Sequence, residues 1–244
     1  MKILALNSSP HRSEGGTGLV LGRFIEGARG AGAEVELVHL HGTDIKPCLG
    51  CFHCWTREPG CCVQRDAMDE LLPKFAAADT VVFATPLYVD GMNGTMKMFL
   101  DRCIPLIEPW FELRHDHCRH PRRPGFKARQ VVLVSASGFT EPDNFDPLIA
   151  HMKAACRNMG CDFAGALVRP YAASLEYIGK LGGVPVKDVL DACAEAGCEL
   201  VKTGCISEAT QGRVARELLP RALYVEAVNE SFRNEIKQCG HEPD

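Results

Sequence analysis

Residues Lys2–Pro10 read KILALNSSP, a short apolar run that changes abruptly into polar, hydroxyl-bearing residues. A Gly-rich loop follows, and a helical stretch then extends from about Thr17 to Arg29. The apolar run predicts a buried strand, and the succession of strand, loop and helix predicts the first unit of an α/β domain.

Strand and helix patterns alternate along the chain from this point. The predicted strands are Lys2–Asn7, Val35–Leu40, Thr80–Thr85 (ended by Pro86), Gln130–Ser135 and Phe163–Arg169. The predicted helices are Thr17–Arg29, Asp66–Ala77 with Asp66 as N-cap, Asn93–Arg102 and Asn144–Met159. This alternation predicts an α/β fold of the flavodoxin-like type, with a five-stranded parallel sheet that is doubly wound by helices on both faces.

The chain beyond the fifth strand is helical. Its predicted helices are Val186–Thr203, Glu208–Glu217 and Leu223–Ile236. We therefore expect a single domain over residues 1–244. It comprises a core of about 1–170, a cysteine-rich insert at 42–65 and a C-terminal helical extension at 171–244.

Composition excludes several classes of protein. The 244 residues carry a formal net charge of -4, which argues against nucleic acid as the main partner because phosphate binding needs a basic face. No apolar run approaches the length of a membrane span. The amino terminus turns polar too early for a signal peptide. We expect a protein that does not bind membranes and resides in the cytoplasm.

The loops after the first, third and fourth strands are expected to carry function, since ligands of such sheets lie outside the carboxyl ends of the strands. The first loop, Asn7–Thr17, gathers hydroxyls and backbone N–H groups where a helix begins, an arrangement typical of anion binding. It lacks the Gly-Lys-Ser/Thr ending of a nucleoside-triphosphate loop and the glycine spacing of a dinucleotide site. On its own it is either a phosphate cradle or an empty, capped loop.

The other two loops suit a flat ligand. Thr85–Gly94 is stiffened by proline and carries an aromatic residue, Tyr88. Ser135–Phe139 contains small residues, which allow a planar ring to approach the backbone closely.

These motifs together resemble the NAD(P)H-dependent FMN reductase family and its relatives, the iron–sulfur flavoproteins. The resemblance covers about the first 140 residues. It rests on Asn7–Pro10 with Thr17, on Pro86–Tyr88 with the Gly94–Arg102 helix, and on the cysteine segment between them. The family usually has arginine directly after Ser-Pro, whereas here His11 comes first and Arg12 second.

The resemblance implies FMN as cofactor. The residues implied at its phosphate are Ser9, His11, Arg12, Ser13, Gly16 and Thr17. Those implied at its ring are Pro86, Leu87, Tyr88, Val89, Ser135, Ala136, Ser137, Gly138 and Phe139.

The activity implied is oxidoreductase chemistry, with NAD(P)H as co-substrate and a quinone, a flavin or another small molecule as electron acceptor. The flavin carries that chemistry and the protein supplies position and electrostatics, so no catalytic side chain is assigned. Two alternatives are a carrier that relays electrons between protein partners and a non-catalytic redox sensor. Members of the family commonly form homo-oligomers, dimers or tetramers.

The cysteine segment suggests a second cofactor. Of 13 cysteines, Cys48, Cys51 and Cys54 are spaced two residues apart, and Cys61-Cys62 follow shortly after. A compact loop of four thiolates is typical of a single iron–sulfur cluster. By resemblance the ligands of a 4Fe-4S cluster are Cys48, Cys51, Cys54 and Cys62. Cys61 as fourth ligand, a zinc site, and a loop without metal all stay open.

Residues 114–124 are strongly basic. They could form a lid over the ring that meets the phosphates of NADPH, or they could be a solvated loop or a subunit contact.

Overall fold

A parallel sheet forms the centre of the computed structural model, which describes residues 1–172, 175 and 186–241. The strands are β1 (Lys2–Asn7), β2 (Glu34–His39), β3 (Thr80–Tyr88), β4 (Gly91–Met92), β5 (Glu112–Arg114), β6 (His117–Arg119), β7 (Gln130–Ala136) and β8 (Asp162–Arg169). The order β2-β1-β3-β7-β8 is parallel throughout, and β4 adds a short antiparallel pair to β3. This order confirms the flavodoxin-like prediction.

The helices lie on both faces of the sheet. They are α1 (Gly16–Gly30), α2 (His53–Thr56), α3 (Met68–Ala77), α4 (Gly94–Asp101), α5 (Asp146–Met159), α6 (Val186–Thr203), α7 (Glu208–Ala215) and α8 (Arg221–Gln238). Two 3-10 turns, Ile104–Leu106 and Pro142–Phe145, lie between them. The predicted start of the C-terminal extension partly falls outside the described residues. No helix in the described part of the chain is both long and apolar enough to cross a membrane.

Two hydrophobic cores follow from the alternation of side chains along each strand. One core joins the odd positions of β1, such as Ile3 and Ala5, to α1 and α6. The other joins Leu4 and Leu6 to α3, α4 and α5. Because successive side chains of a strand point to opposite faces, one apolar run supplies both cores. The strand ends are thereby held between two packed layers.

Small residues allow α6 to lie directly against α1. A methyl group added to Gly27 of α1 would lie 1.7 Å from the carbonyl oxygen of Ala194 in α6. A methyl group on Gly197 of α6 would lie 2.1 Å from the Phe24 carbonyl oxygen in α1. The two backbones therefore touch at a pair of glycines, which ties the C-terminal extension to the first helix of the sheet.

Strand β3 continues past Pro86, where the sequence suggested an end. Pro86 still pairs with Ala136 of β7, and the strand then turns back into β4 through Val89 and Asp90. Both turn residues have positive φ, 49° and 56°, as two-residue hairpins require. Positive φ strains the backbone of a β-branched residue such as Val89. The Val89 side chain is fully exposed within the second loop, Thr85–Gly94.

A buried ion pair closes the base of the cysteine-rich insert. Arg102, directly after α4, lies 2.6 Å from the Asp66 carboxylate, and the two side chains are 1% and 0% exposed. Arg102 also donates to the Lys46 carbonyl oxygen at 2.7 Å. The sequence predicts Asp66 as the N-cap of α3, but the helix begins at Met68 and Ala67 occupies the N-cap position. Asp66, one residue earlier, accepts from the Met68 N–H at 3.0 Å. Its main contact is nevertheless Arg102, which no local sequence pattern indicates.

The environment of Asp66 determines its charge. Burial alone would raise its pKa, but hydrogen bonds from Arg102 and from the N–H groups of Lys46 and Met68 outweigh burial and lower it. The carboxylate is therefore ionised at neutral pH. Its contribution to stability is present above the unfolded-state pKa of about 3.9 and is lost as pH falls through the lower folded-state value.

Alanine at Gly27 should destabilise the protein by about 1–3 kcal/mol, because the added methyl group would overlap the α6 backbone. Alanine at Gly22, in the same helix but with nothing within 4 Å of the new methyl, should stabilise it by about 0.5–1 kcal/mol. Urea unfolding followed by circular dichroism measures both. Equal effects of the two substitutions would contradict the close approach of α1 and α6.

The substitution Asp66→Asn should lower the free energy of unfolding at pH 7 by about 3–5 kcal/mol, because it leaves the Arg102 charge buried and unpaired. The difference from wild type should shrink as the pH falls below about 4, because the unfolded carboxylate then binds protons while the folded one, whose pKa is lower, stays ionised. Glu36→Gln, which removes an exposed ion pair with Lys74, is the matched control and should leave stability unchanged. A loss no larger than that of the control would show that the pair does not stabilise the fold.

Candidate functional site

The first loop is shaped by one side chain. Asn7, the last residue of β1, accepts a hydrogen bond from the Ser9 N–H at 2.9 Å and donates to the Arg12 carbonyl oxygen at 2.9 Å. Arg12 adopts a positive φ of 49° at this turn. The loop then lies close to α1, since a methyl group on Gly18 would stand 2.2 Å from the Arg12 carbonyl oxygen. Asn7 therefore closes the loop over the start of α1.

The residues of this loop fit a phosphate group. Helix α1 begins after Gly15, and no side chain of the described residues caps its first N–H groups. Ser9 and Thr17 are both 3% exposed, and neither hydroxyl has a hydrogen-bond partner among the described residues. Hydroxyl donors without a protein partner beside the positive end of a helix attract an anion. The loop thus has the donor set that the phosphate prediction requires.

Positive charge lies at the rim of the loop. Arg12 is exposed and forms no ion pair within the described residues. His39, at the end of β2, lies 3.5 Å from the Ser13 hydroxyl. Burial and then the charge of Arg12 lower the pKa of His39, so His39 is neutral at pH 7 and Arg12 supplies the cation. No local sequence pattern indicates that His39 lies beside the first loop, because its contact with Ser13 joins residues 26 positions apart.

Asn93 joins the second loop to the first. Its side chain donates to the Ser8 carbonyl oxygen at 2.8 Å and accepts from the Met96 N–H as the N-cap of α4. Its own N–H donates to the Thr85 hydroxyl at 3.1 Å. The Asn93-Gly94 helix-start signal is visible in the sequence, but the bond to Ser8 is not. The two loops are consequently fixed to each other.

The third loop is fixed to the end of β8. Ser137 N–H donates to the Arg169 carbonyl oxygen at 3.0 Å, and the Ser137 carbonyl accepts from Ala172 N–H at 2.8 Å. A methyl group on Gly16 would lie 2.7 Å from the Ala172 side chain, so this segment also reaches the start of α1. The Ser135 hydroxyl is fully buried and has no hydrogen-bond partner in the described part of the chain.

The structure brings the predicted FMN residues to one edge of the sheet. The buried or half-buried members are Ser9, Gly16, Thr17, Pro86, Leu87, Ser135, Ala136 and Ser137. The exposed members are His11, Arg12, Ser13, Tyr88, Val89, Gly138 and Phe139. The buried set forms the base of the three loops, and the exposed set forms their rims. Such an edge can hold a phosphorylated planar ring and leave one side of it open to a second molecule.

The cysteine segment forms a separate pocket. Cys48, Cys51, Cys54 and Cys62 line it together, whereas Cys61 does not. Burial raises the pKa of Cys54, and the nearby charges of Cys62, Cys48 and Cys51 raise it further. Thiolates that lie this close repel one another, and a cation bound between them would offset that repulsion. No group of three His, Cys, Asp or Glu side chains in the described ranges is arranged around a single metal ion.

Two anchors hold the cysteine segment in place. Trp55 of α2 donates to the carbonyl oxygens of Ile104 and Ile107 at 3.3 and 3.0 Å. Arg102 lines the pocket together with Cys62. The pocket is therefore bounded by the end of α4 and by the 3-10 turn after it.

The basic stretch forms the β5–β6 hairpin rather than an irregular loop. Arg114 donates to the His120 carbonyl oxygen, Arg122 to the Ala128 carbonyl oxygen, and Arg123 pairs with Glu108 at 2.7 Å. Arg123 also reaches the Cys54 carbonyl oxygen at 3.4 Å. These arginines brace the hairpin and the cysteine segment. Whether the stretch also meets NADPH stays a prediction.

Sequence comparison identifies related proteins. An iron-sulfur flavoprotein of Methanocaldococcus jannaschii is 35% identical over 115 residues, 47% of this chain and 58% of that protein. A Bacillus subtilis protein assigned as an NAD(P)H-dependent FMN-containing oxidoreductase is 27% identical over 169 residues, 68% of this chain and 82% of that protein. The chain spans about half the length of the iron-sulfur flavoproteins that it matches.

Solved structures share the fold. An FMN-dependent NADH-azoreductase from Bacillus anthracis, in complex with FMN, aligns with a TM-score of 0.61 at 18% identity, over 82% of this chain and 99% of that one. An NAD(P)H:quinone oxidoreductase from Methanothermobacter marburgensis aligns with a TM-score of 0.57 at 18% identity, over 82% and 96%. Residues 1–143 also match the family model described as NADPH-dependent FMN reductase. Since that match covers more than half of the chain, the protein belongs to the NADPH-dependent FMN reductase family.

Proposed function

We propose that this protein is an FMN-binding oxidoreductase that takes electrons from NAD(P)H and passes them to a small acceptor such as a quinone or a flavin. The observation that carries the proposal is the pair of hydroxyls of Ser9 and Thr17, two residues that are each 3% exposed. Neither hydroxyl has a hydrogen-bond partner among the described residues, and both belong to the segment in which α1 begins. The family supports the same cofactor and co-substrate. The loops at the ends of β3 and β7 lie at the same edge, where the planar ring is proposed to bind.

The residues of the chain have binding and positioning roles in this proposal. When bound, FMN supplies the hydride and electron chemistry. Ser9, Thr17 and the first N–H groups of α1 hold the phosphate, and Arg12 balances its charge. Tyr88 and Phe139, which are 49% and 65% exposed, flank the ring as apolar edges. No side chain of the three loops is required to donate or accept a proton.

A second candidate function is electron relay through FMN and a 4Fe-4S cluster. The observation in its favour is the pocket that gathers Cys48, Cys51, Cys54 and Cys62. In a cubane cluster each cysteine binds a different iron, so four thiols that line one pocket without converging on a single ion favour a cluster over zinc. The iron-sulfur flavoproteins among the relatives support this at the level of the family. The acceptor would then be a protein partner.

The assembly and location of the protein stay predictions. We propose a homo-oligomer, a dimer or a tetramer, in the cytoplasm. Size-exclusion chromatography with light scattering tests the first of these.

The substitution Thr17→Val should weaken FMN binding about 10-fold to 100-fold, because one hydrogen bond to a charged phosphate contributes about 1.5–3 kcal/mol. Binding of riboflavin, which lacks the phosphate, should not change. Fluorescence quenching titrations of both ligands measure the two affinities. Thr203→Val is the matched control, since the Thr203 hydroxyl bonds to the Glu199 carbonyl oxygen on α6, away from the loops.

Equal losses for FMN and riboflavin would place the Thr17 hydroxyl away from the phosphate. A wild-type protein that binds neither ligand would refute the proposed function itself.

Serine at Cys62 should abolish most of the iron bound after anaerobic reconstitution, while serine at Cys61 should leave it near about four irons per chain. The reason is that Cys62 lines the pocket and its neighbour does not. Iron and sulfide assays with the absorption spectrum provide the measurement. Equal iron contents in both variants would remove the cluster from this pocket, and wild-type protein that takes up no iron would leave FMN as the single cofactor.

A further inference from the structure

The third ligand loop is anchored by the C-terminal helix. The Tyr224 hydroxyl of α8 donates to the Gly138 carbonyl oxygen at 2.7 Å. Arg221, at the start of α8, pairs with Glu141 at 2.5 Å just beyond the loop. Both contacts come from far beyond residue 143, where the family match ends.

Most backbone N–H and carbonyl groups at the tip of this loop, residues 137–139, form hydrogen bonds. Ser137 N–H bonds to Arg169, and the Ser137 carbonyl accepts from Ala172. Phe139 N–H bonds to the Ser137 hydroxyl at 3.0 Å, and the Phe139 carbonyl accepts from Tyr171 N–H. The Gly138 carbonyl accepts from Tyr224. What is left is the Gly138 N–H, which has no partner in the described part of the chain and lies at an exposed residue.

Tyr224 is placed firmly enough to hold the loop. It is 6% exposed, the one residue of α8 that is buried, and its ring meets the ring of Tyr171 edge-on at 4.8 Å. Burial raises the pKa of Tyr224, so the hydroxyl keeps its proton and donates at neutral pH. The helix beyond it is exposed, including Phe232 and Ile236.

We propose that Tyr224 is a positioning residue for the flavin: by holding the Gly138 carbonyl, it keeps the Gly138 N–H free to donate to a carbonyl oxygen of the bound isoalloxazine ring. This inference rests on the proposed function, because it requires FMN at the three loops. A glycine peptide without a side chain rotates easily, so a bond to its carbonyl is needed to fix the direction of the neighbouring N–H. Reduction places additional negative charge on the ring, which a fixed N–H donor stabilises.

Two consequences follow for a variant without the hydroxyl. FMN should bind about 3-fold to 10-fold more weakly, the effect of one ordinary hydrogen bond. The reduced flavin should lose more affinity than the oxidised flavin, so the midpoint potential should fall. A tenfold difference between the two redox states corresponds to about 30 mV for a two-electron couple.

The experiment uses Tyr224→Phe in the 244-residue chain, a change that removes one oxygen atom and keeps the ring packed against Tyr171. FMN affinity, the midpoint potential and the melting temperature are measured for the wild type, this variant and Phe232→Ser. The control changes an exposed residue two turns further along the same helix and should match the wild type in all three. Weaker FMN binding together with a lower potential in Tyr224→Phe alone supports the proposal.

Three results would overturn it. A variant with the wild-type affinity and potential, in a protein that binds FMN and responds to Thr17→Val, refutes the positioning role and leaves the proposed function intact. A lower melting temperature with unchanged affinity and potential shows that the hydroxyl only stabilises the fold. Wild-type protein that binds no FMN refutes both the role and the function.

Discussion

The parallel arrangement of the sheet is the constraint on which the site depends. Because β1, β3, β7 and β8 all run in one direction, the loops after them emerge at one edge. Hydrogen bonds then join these loops in a chain: Asn93 links the second loop to the first, and Ala172 links the third loop to the end of β8. These contacts make the edge one connected frame.

Helix α4 connects this frame to the cysteine pocket. Asn93 caps its first turn beside the ligand loops, and Arg102 ends it against Asp66 and the pocket. Eight residues of helix span about 12 Å, so the two candidate cofactor sites lie on opposite ends of a short rigid element.

The C-terminal extension completes the site as well as the core. Helix α6 packs on α1 through glycines, and Arg169, at the end of β8, donates to the carbonyl oxygens of Val214 and Arg216 at the end of α7. Burial lowers the pKa of Arg169 to about 10, yet it stays protonated at neutral pH. Tyr224 then reaches the third loop from α8.

The sequence by itself determined the order of the five long parallel strands and of the longer helices, because apolar runs and helical spacing are local signals. It also predicted which loops bind a ligand and which four cysteines group together; the structure places those four cysteines along one pocket. It did not indicate the short elements α2, β4, β5 and β6. Only the tertiary structure decided the partners of Asp66, Asn93 and Tyr224, whose contacts lie 36, 85 and 86 residues away along the chain. It also distinguished Cys62, which lines the cysteine pocket, from Cys61, which does not. The two are neighbours in the sequence, so their spacing from Cys54 hardly differs, but their side chains have different surroundings in the folded chain. Hydrophobic periodicity identifies which face of a helix or strand is buried. A contact between residues far apart in the sequence forms only when packing of the core brings their elements together.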